Sequence, residues 1–260
     1  MSTPPDTALQ PRQRTVAIIL PLVSAGLLLV FWQAVVNGTR IPEAILPGPL
    51  VVIAELLASL PQLLAEARVT VLDSLIAFAV ATMVGVALAT CFTFSATLRD
   101  AVHPNLVIVQ LIPKIAFAPL FVVWLGVDAP SRVAFATFLS FFPVALSTAT
   151  GLAATDINAL QLCRSLGASR WQTFAAVRVP FALGHFFAGL KIATTLVFIG
   201  VVVGEFISSN AGLGHYVILA SASGATAKIF AGLIALSLCG LALYGTVAGA
   251  ERLLLRWWWE

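Results

Sequence analysis

The sequence predicts an all-α integral membrane protein with about six transmembrane helices, and two compositional observations and one pattern support this. Of its 260 residues, 60% are hydrophobic and only 10% are charged. The mean hydropathy of +1.02 is far above that of soluble domains, so lipid must be the solvent for most of the surface. Apolar runs recur at lengths that suit membrane-spanning helices. One domain of five to seven helices is expected to fill the chain.

The apolar runs and their polar breaks predict the position of each span. Residues 1–14 are polar and proline-rich and are expected to form a cytoplasmic tail, ahead of a transmembrane domain that covers 15–260. The first run is too long for the core of a signal peptide, so it is expected to be retained. The six predicted spans cover residues 16–36, 69–94, 104–125, 132–150, 186–207 and 229–249.

Residues 37–68 separate the first two spans and differ from both in composition. Their apolar stretch is only about ten residues long, lies between Pro49 and Pro61 and contains Glu55. Such a stretch is too short to cross a bilayer. We therefore predict an interfacial helix on the periplasmic side. The alternative, a seventh span, would place the basic loops on opposite sides of the membrane.

Glycines and prolines within the spans predict close helix packing and broken backbone. Gly85, among several alanines in the second span, allows another helix to approach closely. Pro113 and Pro119 each remove a backbone donor inside the third span. Backbone of that kind is tolerated at membrane depth only where it is buried in protein or lines a cavity. The stretch SSNAGLGHY at 208–216 continues through SASGATAK at 221–228, and both are predicted to be loop.

The distribution of basic residues predicts the orientation. With the N-terminus inside, nine basic residues lie at inner loops and span ends and four at outer ones. This asymmetry favours cytoplasmic N- and C-termini. Because these residues lie mostly at span ends, they indicate topology and contact with lipid headgroups rather than nucleic-acid binding. The inner set is Arg12, Arg14, Arg99, Arg164, Arg170, Arg178, Lys191, Arg252 and Arg256, and the outer set is Arg40, Arg68, Arg132 and Lys228.

A polar stretch, DINALQLCRSLGASRWQTFAAVRVP, interrupts the apolar chain from Asp156 to Pro180, within a predicted cytoplasmic loop over 151–185. Asp156 is a good N-cap for a short helix, and Gly167 stands where a helix needs a left-handed residue after its end. Val179 is expected to leave helical geometry, because Pro180 follows it and can open the next helix. The stretch is thus expected to present a short helix suited to a groove on a soluble partner.

The same stretch resembles the EAA loop of ABC importer permeases. In that pattern E-A-A is followed by three residues, a glycine, nine residues, a hydrophobe, one residue, a hydrophobe and a proline. Gln161 replaces the family's usual acid and lacks the charge for an ion pair with the ATPase, so docking would rest on shape and the glycine turn. The matching positions are Gln161, Leu162 and Cys163 for E-A-A, Gly167 for the glycine, Val177 and Val179 for the hydrophobes, and Pro180.

The resemblance extends from about Pro47 to Trp258, through LPGPLVV, PKIAFAPLFVVWLG and GEFISSNAGLGH. It is greatest to permeases of the nitrate, sulfonate and taurine type, a group that also serves thiamine-precursor, riboflavin and aromatic-acid uptake. It implies the MetI-like fold of type I importers and a multi-pass location in the bacterial inner membrane. The implied partners are a second permease copy, two ATP-binding subunits and a periplasmic substrate-binding protein. ATP and magnesium would be bound by the ATPase, and this chain would carry no cofactor.

The resemblance also implies that the cytoplasmic loop couples the permease to its ATPase. The work of this chain would then be alternating access rather than catalysis. The residues expected to take part in coupling are Asp156, Leu160, Gln161, Leu162, Cys163, Arg164, Ser165, Leu166, Gly167, Ala168 and Pro180.

Candidate residues for the translocation pathway lie in the third and fifth spans. Lys114 is expensive to hold in lipid, by about 2.5–3.5 kcal/mol. It would either face the pathway and meet an anionic substrate, or snorkel or cap a kinked helix beside Pro113. Glu205 would pair with Lys114 or a neighbouring subunit, gate the outer mouth, or lie among headgroups. Lys114 and Arg132 favour an anion such as a sulfonate, nitrate or carboxylate. The pathway candidates are Pro113, Lys114, Phe117, Pro119 and Glu205.

Other classes of function are disfavoured by missing motifs. The sequence contains no GxxxxGK[ST], HExxH or GxSxG. Cys91, Cys163 and Cys239 are too far apart to suggest a disulfide framework or a metal site. A secondary transporter would show an inverted repeat and charged residues paired within spans. The sequence shows no such repeat. Lys114 is the one clear charge within a span, and the sequence offers it no recognisable partner.

Overall fold

The computed structural model describes residues 11–39 and 41–259, and nearly all of them are helical. A 3-10 turn, Lys114–Phe117, precedes α5, and a π-helical turn, Phe174–Arg178, precedes α9. The α-helices are α1 (Pro11–Thr39), α2 (Pro49–Ala58), α3 (Leu60–Phe94), α4 (Ala96–Leu111), α5 (Ala118–Leu125), α6 (Ala129–Ala153), α7 (Ile157–Ser165), α8 (Arg170–Thr173), α9 (Val179–Ser208), α10 (Leu213–Ala222) and α11 (Thr226–Trp259).

Five helical stretches among the described residues are long and apolar enough to cross a membrane, and a sixth crossing is present if the bent pair α4–α5 counts as one. The predicted fold class, all-α with about six spans, is therefore confirmed. Five of the six predicted spans fall within α1, α3, α6, α9 and α11. Helix α3 begins at Leu60 and α11 ends at Trp259, because polar residues extend these helices beyond their apolar cores.

The third predicted span, 104–125, is a bent pair of helices, in line with the backbone break that its prolines predict. Helix α4 ends at Leu111, and the axis turns by 91° before α5. Pro113, with φ −63° and ψ 85°, lies outside helical geometry and cannot donate a backbone hydrogen bond. Pro119 does not break a helix, because it lies in the first turn of α5, where no donor is needed.

Two shorter helices complete the comparison with the sequence. Helix α2 has ten residues and an expected length of about 15 Å, half the thickness of the hydrocarbon layer, so it is too short to be a seventh span. The location of α2 at a membrane interface stays a prediction.

Helix α10 lies where a loop was predicted. The predicted N-terminal tail reaches only partly into the described residues: 1–10 lie outside them, and α1 already begins at Pro11.

The helices group into two compact units. The first comprises the described part of Met1–Leu60 together with Ala220–Ala231. Within it, the Trp32 and Phe230 rings lie 5.4 Å apart, and the Thr226 hydroxyl donates a hydrogen bond of 2.5 Å to the Ala44 carbonyl. The second unit comprises Pro61–Leu219 and the described part of Gly232–Glu260, and it contains both the polar loop and the pathway candidates.

Small residues bring the helices of the second unit into close contact. A Cβ on Gly85 of α3 would lie 2.8 Å from the Val144 Cβ of α6, which confirms the predicted role of this glycine. A Cβ on Gly200 of α9 would lie 2.5 Å from the Ala136 Cα of α6. Such close packing is how helices associate in lipid, where no hydrophobic effect drives them together.

Candidate functional site

The segment Asp156–Ala168, called here the coupling segment, begins at a side-chain cap. The Asp156 carboxylate accepts a hydrogen bond of 3.0 Å from the backbone N–H of Asn158 and a second, of 3.2 Å, from the Asn158 side chain. These bonds satisfy groups that the first turn of α7 leaves without helical partners. The predicted N-cap is confirmed.

The coupling segment ends at a glycine in the left-handed region. Gly167 has φ 71°, and the Ala168 N–H donates to the Cys163 carbonyl at 2.9 Å. The Gly167 N–H donates to the Arg164 carbonyl at 3.0 Å. These are the two bonds of a Schellman motif, which closes the carboxyl end of a helix and reverses the chain. The predicted role of Gly167 in the turn is confirmed.

A second capped turn follows immediately. The Ser169 hydroxyl accepts a hydrogen bond from the Gln172 N–H at 3.2 Å, and the Gln172 side chain accepts one from the Ser169 N–H at 2.8 Å. This reciprocal pair is a capping box and starts α8. The sequence signal, serine followed three residues later by glutamine, was present but was not used in the prediction.

The expected break before Pro180 is wrong. Val179 has φ −61° and ψ −49°, which is helical, and α8, the π turn and α9 form one helical run of 39 residues, Arg170–Ser208. A proline ring inside a regular helix clashes with the carbonyl four residues earlier. The wider π turn at Phe174–Arg178 changes the spacing just ahead of Pro180 and lets the helix continue.

The coupling segment presents an apolar face to solvent. Ile157 is 67% exposed, Leu162 60% and Leu166 76%. Gln161 is also exposed, and its side chain has no hydrogen-bond partner in the part of the chain that the structure describes. Leu162 and Leu166 are one turn apart and form one apolar face, whereas Ile157 lies on another side of the helix. Large apolar side chains left uncovered on a short, well-capped helix are typical of a surface that another protein covers. The remaining coupling residues Leu160, Cys163 and Ala168 are partly buried, whereas Arg164 and Ser165 are exposed.

The predicted pathway residues Pro113, Lys114, Phe117 and Pro119 lie together at the bend between α4 and α5. The Lys114 ammonium donates a hydrogen bond of 3.2 Å to the Gln110 carbonyl and lies 5.2 Å from the centre of the Phe142 ring. It therefore caps the carboxyl end of α4, where a cation is favourable. This geometry matches the prediction that Lys114 caps a kinked helix.

Glu205 lies elsewhere, in a buried group of polar side chains. It is 1% exposed, and its carboxylate accepts hydrogen bonds of 2.7 Å from the Thr70 hydroxyl and 2.7 Å from the Gly214 N–H. The Thr70 oxygen in turn accepts a bond of 2.9 Å from the Leu213 N–H. The predicted pairing of Glu205 with Lys114 is wrong, as is its predicted exposure to headgroups.

The same group contains a buried ion pair. The Arg132 guanidinium donates to the Asp73 carboxylate over 2.9 and 2.7 Å, and it also reaches the Ser209 hydroxyl at 3.1 Å. At the edge of the group, the Gly212 N–H donates to the Glu66 carboxylate at 2.6 Å. We call this group the polar network. It consists of the side chains of Glu66, Thr70, Asp73, Arg132, Glu205 and Ser209 and the backbone of Gly212–Gly214.

The polar network explains why α10 was missed and corrects the interpretation of Arg132. The first N–H groups of α10 are satisfied by side chains from α3 and α9, partners that the glycine-rich sequence does not reveal. Arg132 is not the free outer charge favouring an anion that the sequence predicts, because Asp73 neutralises it. A signal did exist: Glu66, Thr70 and Asp73 lie four and three residues apart and so share one helix face.

A second ion pair lies within the spans. The Lys191 ammonium contacts both Glu251 carboxylate oxygens, at 3.0 and 2.8 Å, so α9 and α11 are joined here. Lys191 and Arg132 are therefore not loop charges, and the basic count becomes eight inner against three outer residues. The sequence indicates Lys114 as the one clear charge within a span, and the structure adds Arg132 and Lys191, both of them paired. Within residues 11–39 and 41–259, no group of three or more His, Cys, Asp or Glu side chains is placed so that it could hold a metal ion.

Five or six apolar helical spans, with a capped polar segment between two of them, are the features of a multi-pass membrane protein. The chain belongs to the family of binding-protein-dependent transport system inner membrane components, whose profile matches residues 81–256. It is an ABC importer permease of that family. It is similar to the riboflavin transport system permease protein RibX of Chloroflexus aurantiacus, with 34% identity over 98% of each chain.

Two further similarities concern substrate type and fold. The taurine transport system permease protein TauC of Escherichia coli is 28% identical over 92% of this chain and 90% of its own length. A solved structure of the MetNI methionine ABC transporter, in an inward-facing conformation, has a TM-score of 0.62 at 19% identity, over 73% of this chain and 94% of the matched one. The predicted MetI-like fold is thereby confirmed.

Proposed function

We propose that this chain lines the pathway of an ATP-driven importer and that a separate ATPase subunit docks on the coupling segment. The observation that carries this proposal is the exposed apolar face formed by Leu162 and Leu166, one turn apart at the end of a helix that is capped at both ends. A rigid amphipathic helix that inserts into a groove is a common mode of protein recognition. Because Gln161 is uncharged, apolar contact and shape would carry the affinity at this position.

The long helical run gives the coupling segment a route for transmitting motion. Arg170–Ser208 begins just after the coupling segment and carries Glu205 of the polar network near its other end. At 1.5 Å per residue it is about 58 Å long, enough to reach across a bilayer. Movement of the ATPase against α7 would therefore tilt α9, and alternating access would follow from that tilt.

The partners follow from the same proposal. Two ATPase subunits would bind and hydrolyse ATP with magnesium, and this chain would contribute no catalytic group. A second copy of the chain would complete the pathway at a two-fold axis. A periplasmic binding protein would deliver the solute. Both termini would lie in the cytoplasm of a cell whose inner membrane holds the protein, in agreement with eight inner against three outer basic residues.

The proposed substrate is a small solute with an anionic group, such as a sulfonate, taurine or nitrate. Lys114 is the residue that supports it, since it is partly exposed at the bend and pairs with a carbonyl rather than a carboxylate. Arg132 no longer supports it. The similar protein TauC is named as a taurine permease, and taurine is one of these solutes.

A second candidate is a planar aromatic solute such as riboflavin, a thiamine precursor or an aromatic acid. The supporting observation is a cluster of phenylalanines beside Lys114, whose ring centres lie 4.0–6.5 Å apart in pairs. The faces of its partly exposed members, Phe117, Phe121, Phe138 and Phe141, suit stacking of planar rings. The cluster consists of Phe117, Phe121, Phe135, Phe138, Phe141 and Phe142.

Uptake into proteoliposomes tests the proposal and separates the candidates. The full-length chain is reconstituted with its ATPase and binding protein, and uptake of taurine, nitrate and riboflavin is measured with and without ATP. We expect uptake of one solute class only, and only with both ATP and the ATPase. Uptake driven by an ion gradient in the absence of the ATPase would contradict the proposal and indicate a secondary transporter.

A further inference from the structure

A cavity of about 430 Å³ lies beside the coupling segment and has a strongly cationic lining. Arg164 comes from α7, Arg170 from α8 and Arg178 from the π turn, so three guanidinium groups from three elements border one space. Thr173 adds a hydroxyl to the lining, and Phe94 forms an apolar wall at the end of α3. Guanidinium groups arranged around a cavity are suited to bind phosphate oxygens in pairs.

The positive charge of this cavity is not balanced by neighbouring acids. Arg164 and Arg170 have no ion-pair partner within the described residues, and Arg178 donates only to the Leu152 carbonyl, at 3.4 Å. In the described part of the chain, the cavity lining contains no Asp or Glu, and Asp156, the acid on the coupling segment, caps α7 without lining the cavity. Three like charges around one space repel each other, so an anion in the cavity would be held favourably.

The level of the cavity indicates where the anion comes from. Phe94 is the last residue of α3, Arg170 begins the helical run that contains α9, and Leu152, the acceptor of Arg178, lies in the last turn of α6, so the ends of three spans lie around the cavity. Headgroups of a lipid leaflet lie where spans end. Basic pockets between such helix ends on the cytoplasmic side bind anionic headgroups.

An aromatic cluster at the same level supports a lipid origin. Trp171 is 66% exposed, and its ring lies 4.8 Å from Phe94 and 5.7 Å from Phe174. Exposed tryptophan side chains are enriched at the boundary between hydrocarbon and headgroups. An arginine-lined cavity with an adjoining aromatic surface therefore offers one site for the phosphate and another for the top of the acyl chains.

We propose that this cavity binds the headgroup of an anionic phospholipid. The bound phosphate would bridge Arg164 of the coupling segment and Arg170 of α8, on either side of the Gly167 turn. It would thus hold the coupling segment against the end of α3. The inference rests on the cavity and not on ATPase docking, although the two share Arg164.

Lipid retention by the purified full-length chain tests this proposal. The chain is incubated with equal amounts of phosphatidylglycerol and phosphatidylcholine in detergent, and bound lipids are counted by native mass spectrometry. We expect preferential retention of phosphatidylglycerol, reduced at least fivefold by Arg164→Gln combined with Arg170→Gln. Arg68→Gln, an exposed arginine near the opposite end of α3, is the matched control and is expected to change retention less than twofold.

Three outcomes would overturn the proposal. One is equal retention of both lipids, and another is equal loss in the double variant and in Arg68→Gln. The third is displacement of phosphatidylglycerol by millimolar inorganic phosphate, which would indicate a site for a free anion. If the double variant does not fold, the single variants Arg170→Gln and Arg170→Lys replace it, and glutamine is then expected to lose more lipid than lysine.

An acidic surface of the ATPase is the rival occupant of this cavity. It would be indicated if the arginine variants lost the ATPase in micelles free of phospholipid while the preference for phosphatidylglycerol stayed unchanged. That result would overturn the lipid assignment. Failure of ATPase-driven uptake alone would leave the lipid measurement intact, so the two proposals fail separately.

Discussion

The coupling segment and the polar network are stabilised in opposite ways. The hydrogen bonds that cap the coupling segment join residues no more than five positions apart, and its apolar face is open to a partner. The side-chain bonds that join α3 to α6, to α9 and to the start of α10 in the polar network connect residues 59 to 146 positions apart. A locally held element can move as a unit, whereas a buried network fixes several helices to one another.

The largest expected effect is on the buried ion pair. Arg132→Met leaves the Asp73 carboxylate buried without a partner, and both side chains are less than a tenth exposed. We expect the free energy of unfolding in mixed detergent micelles to fall by about 3–5 kcal/mol. Arg99→Met is the matched control, since Arg99 and Asp100 form an exposed pair. A loss below about 1 kcal/mol is expected there, and equal losses would contradict the account of the network.

The next effect concerns the hydroxyl that joins α3, α9 and α10. Thr70→Val keeps the shape of the side chain but removes the donor to Glu205 and the acceptor of the Leu213 N–H. We expect a loss of about 1–3 kcal/mol in the same unfolding measurement. Thr82→Val on the same helix is the control, because the Thr82 hydroxyl is buried without a partner in the described residues. An equal loss in both variants would show that the hydrogen bonds of Thr70 do not contribute to the free energy of unfolding.

A smaller, local effect is expected at the coupling segment. Gly167→Ala meets no neighbouring atom within 4 Å, so only its φ of 71° is strained. The expected loss is about 1 kcal/mol, visible as faster hydrogen exchange in the last turn of α7. Gly167→Asn should lose less, because asparagine tolerates this region better than alanine. Unchanged exchange in the alanine variant would contradict the assigned cap.

The smallest effect on stability is expected at Lys114, where the consequence is for transport. Lys114→Gln removes a cation that no carboxylate pairs with in the described residues. We expect uptake of an anionic solute to fall about fivefold, as for loss of about 1 kcal/mol of charge attraction. Lys228→Gln, at an exposed lysine in the other unit, is the control. Intact anion uptake would remove the support for an anionic substrate.

The contrast between local bonds in the coupling segment and long-range bonds in the polar network explains how much could be predicted from the sequence. Asp156 and Gly167 were predicted because caps and left-handed turns are encoded within a few residues. Glu205 was misplaced because its partners, Thr70 and Gly214, are brought to it only by the packing of α3, α9 and α10. Helix α10 was missed for the same reason.

The bent third span shows an intermediate case. Pro113 predicted a defect in the helix, but the 91° turn depends on how α5 packs against α6. Phe121 of α5 and Phe135 of α6 lie 5.6 Å apart in this packing.

The predicted break before Pro180 was wrong because a π turn relieves the clash that the sequence rule assumes. Local rules were therefore reliable for the caps and the glycine turn but not for Pro180, where a wider turn in the same helical run replaces the expected break.

ATP hydrolysis by the ATPase bound to the full-length chain in proteoliposomes tests the coupling segment most directly. Leu162→Glu places a charge on its exposed apolar face, and Leu57→Glu makes the same change at a similarly exposed leucine of α2; these leucines are 60% and 65% exposed. We predict that Leu162→Glu reduces the stimulation of ATPase activity by at least about tenfold, because an unpaired charge at an interface opposes docking. Leu57→Glu should leave it unchanged. Full stimulation in the folded Leu162→Glu variant would contradict the proposal that the ATPase docks on this segment.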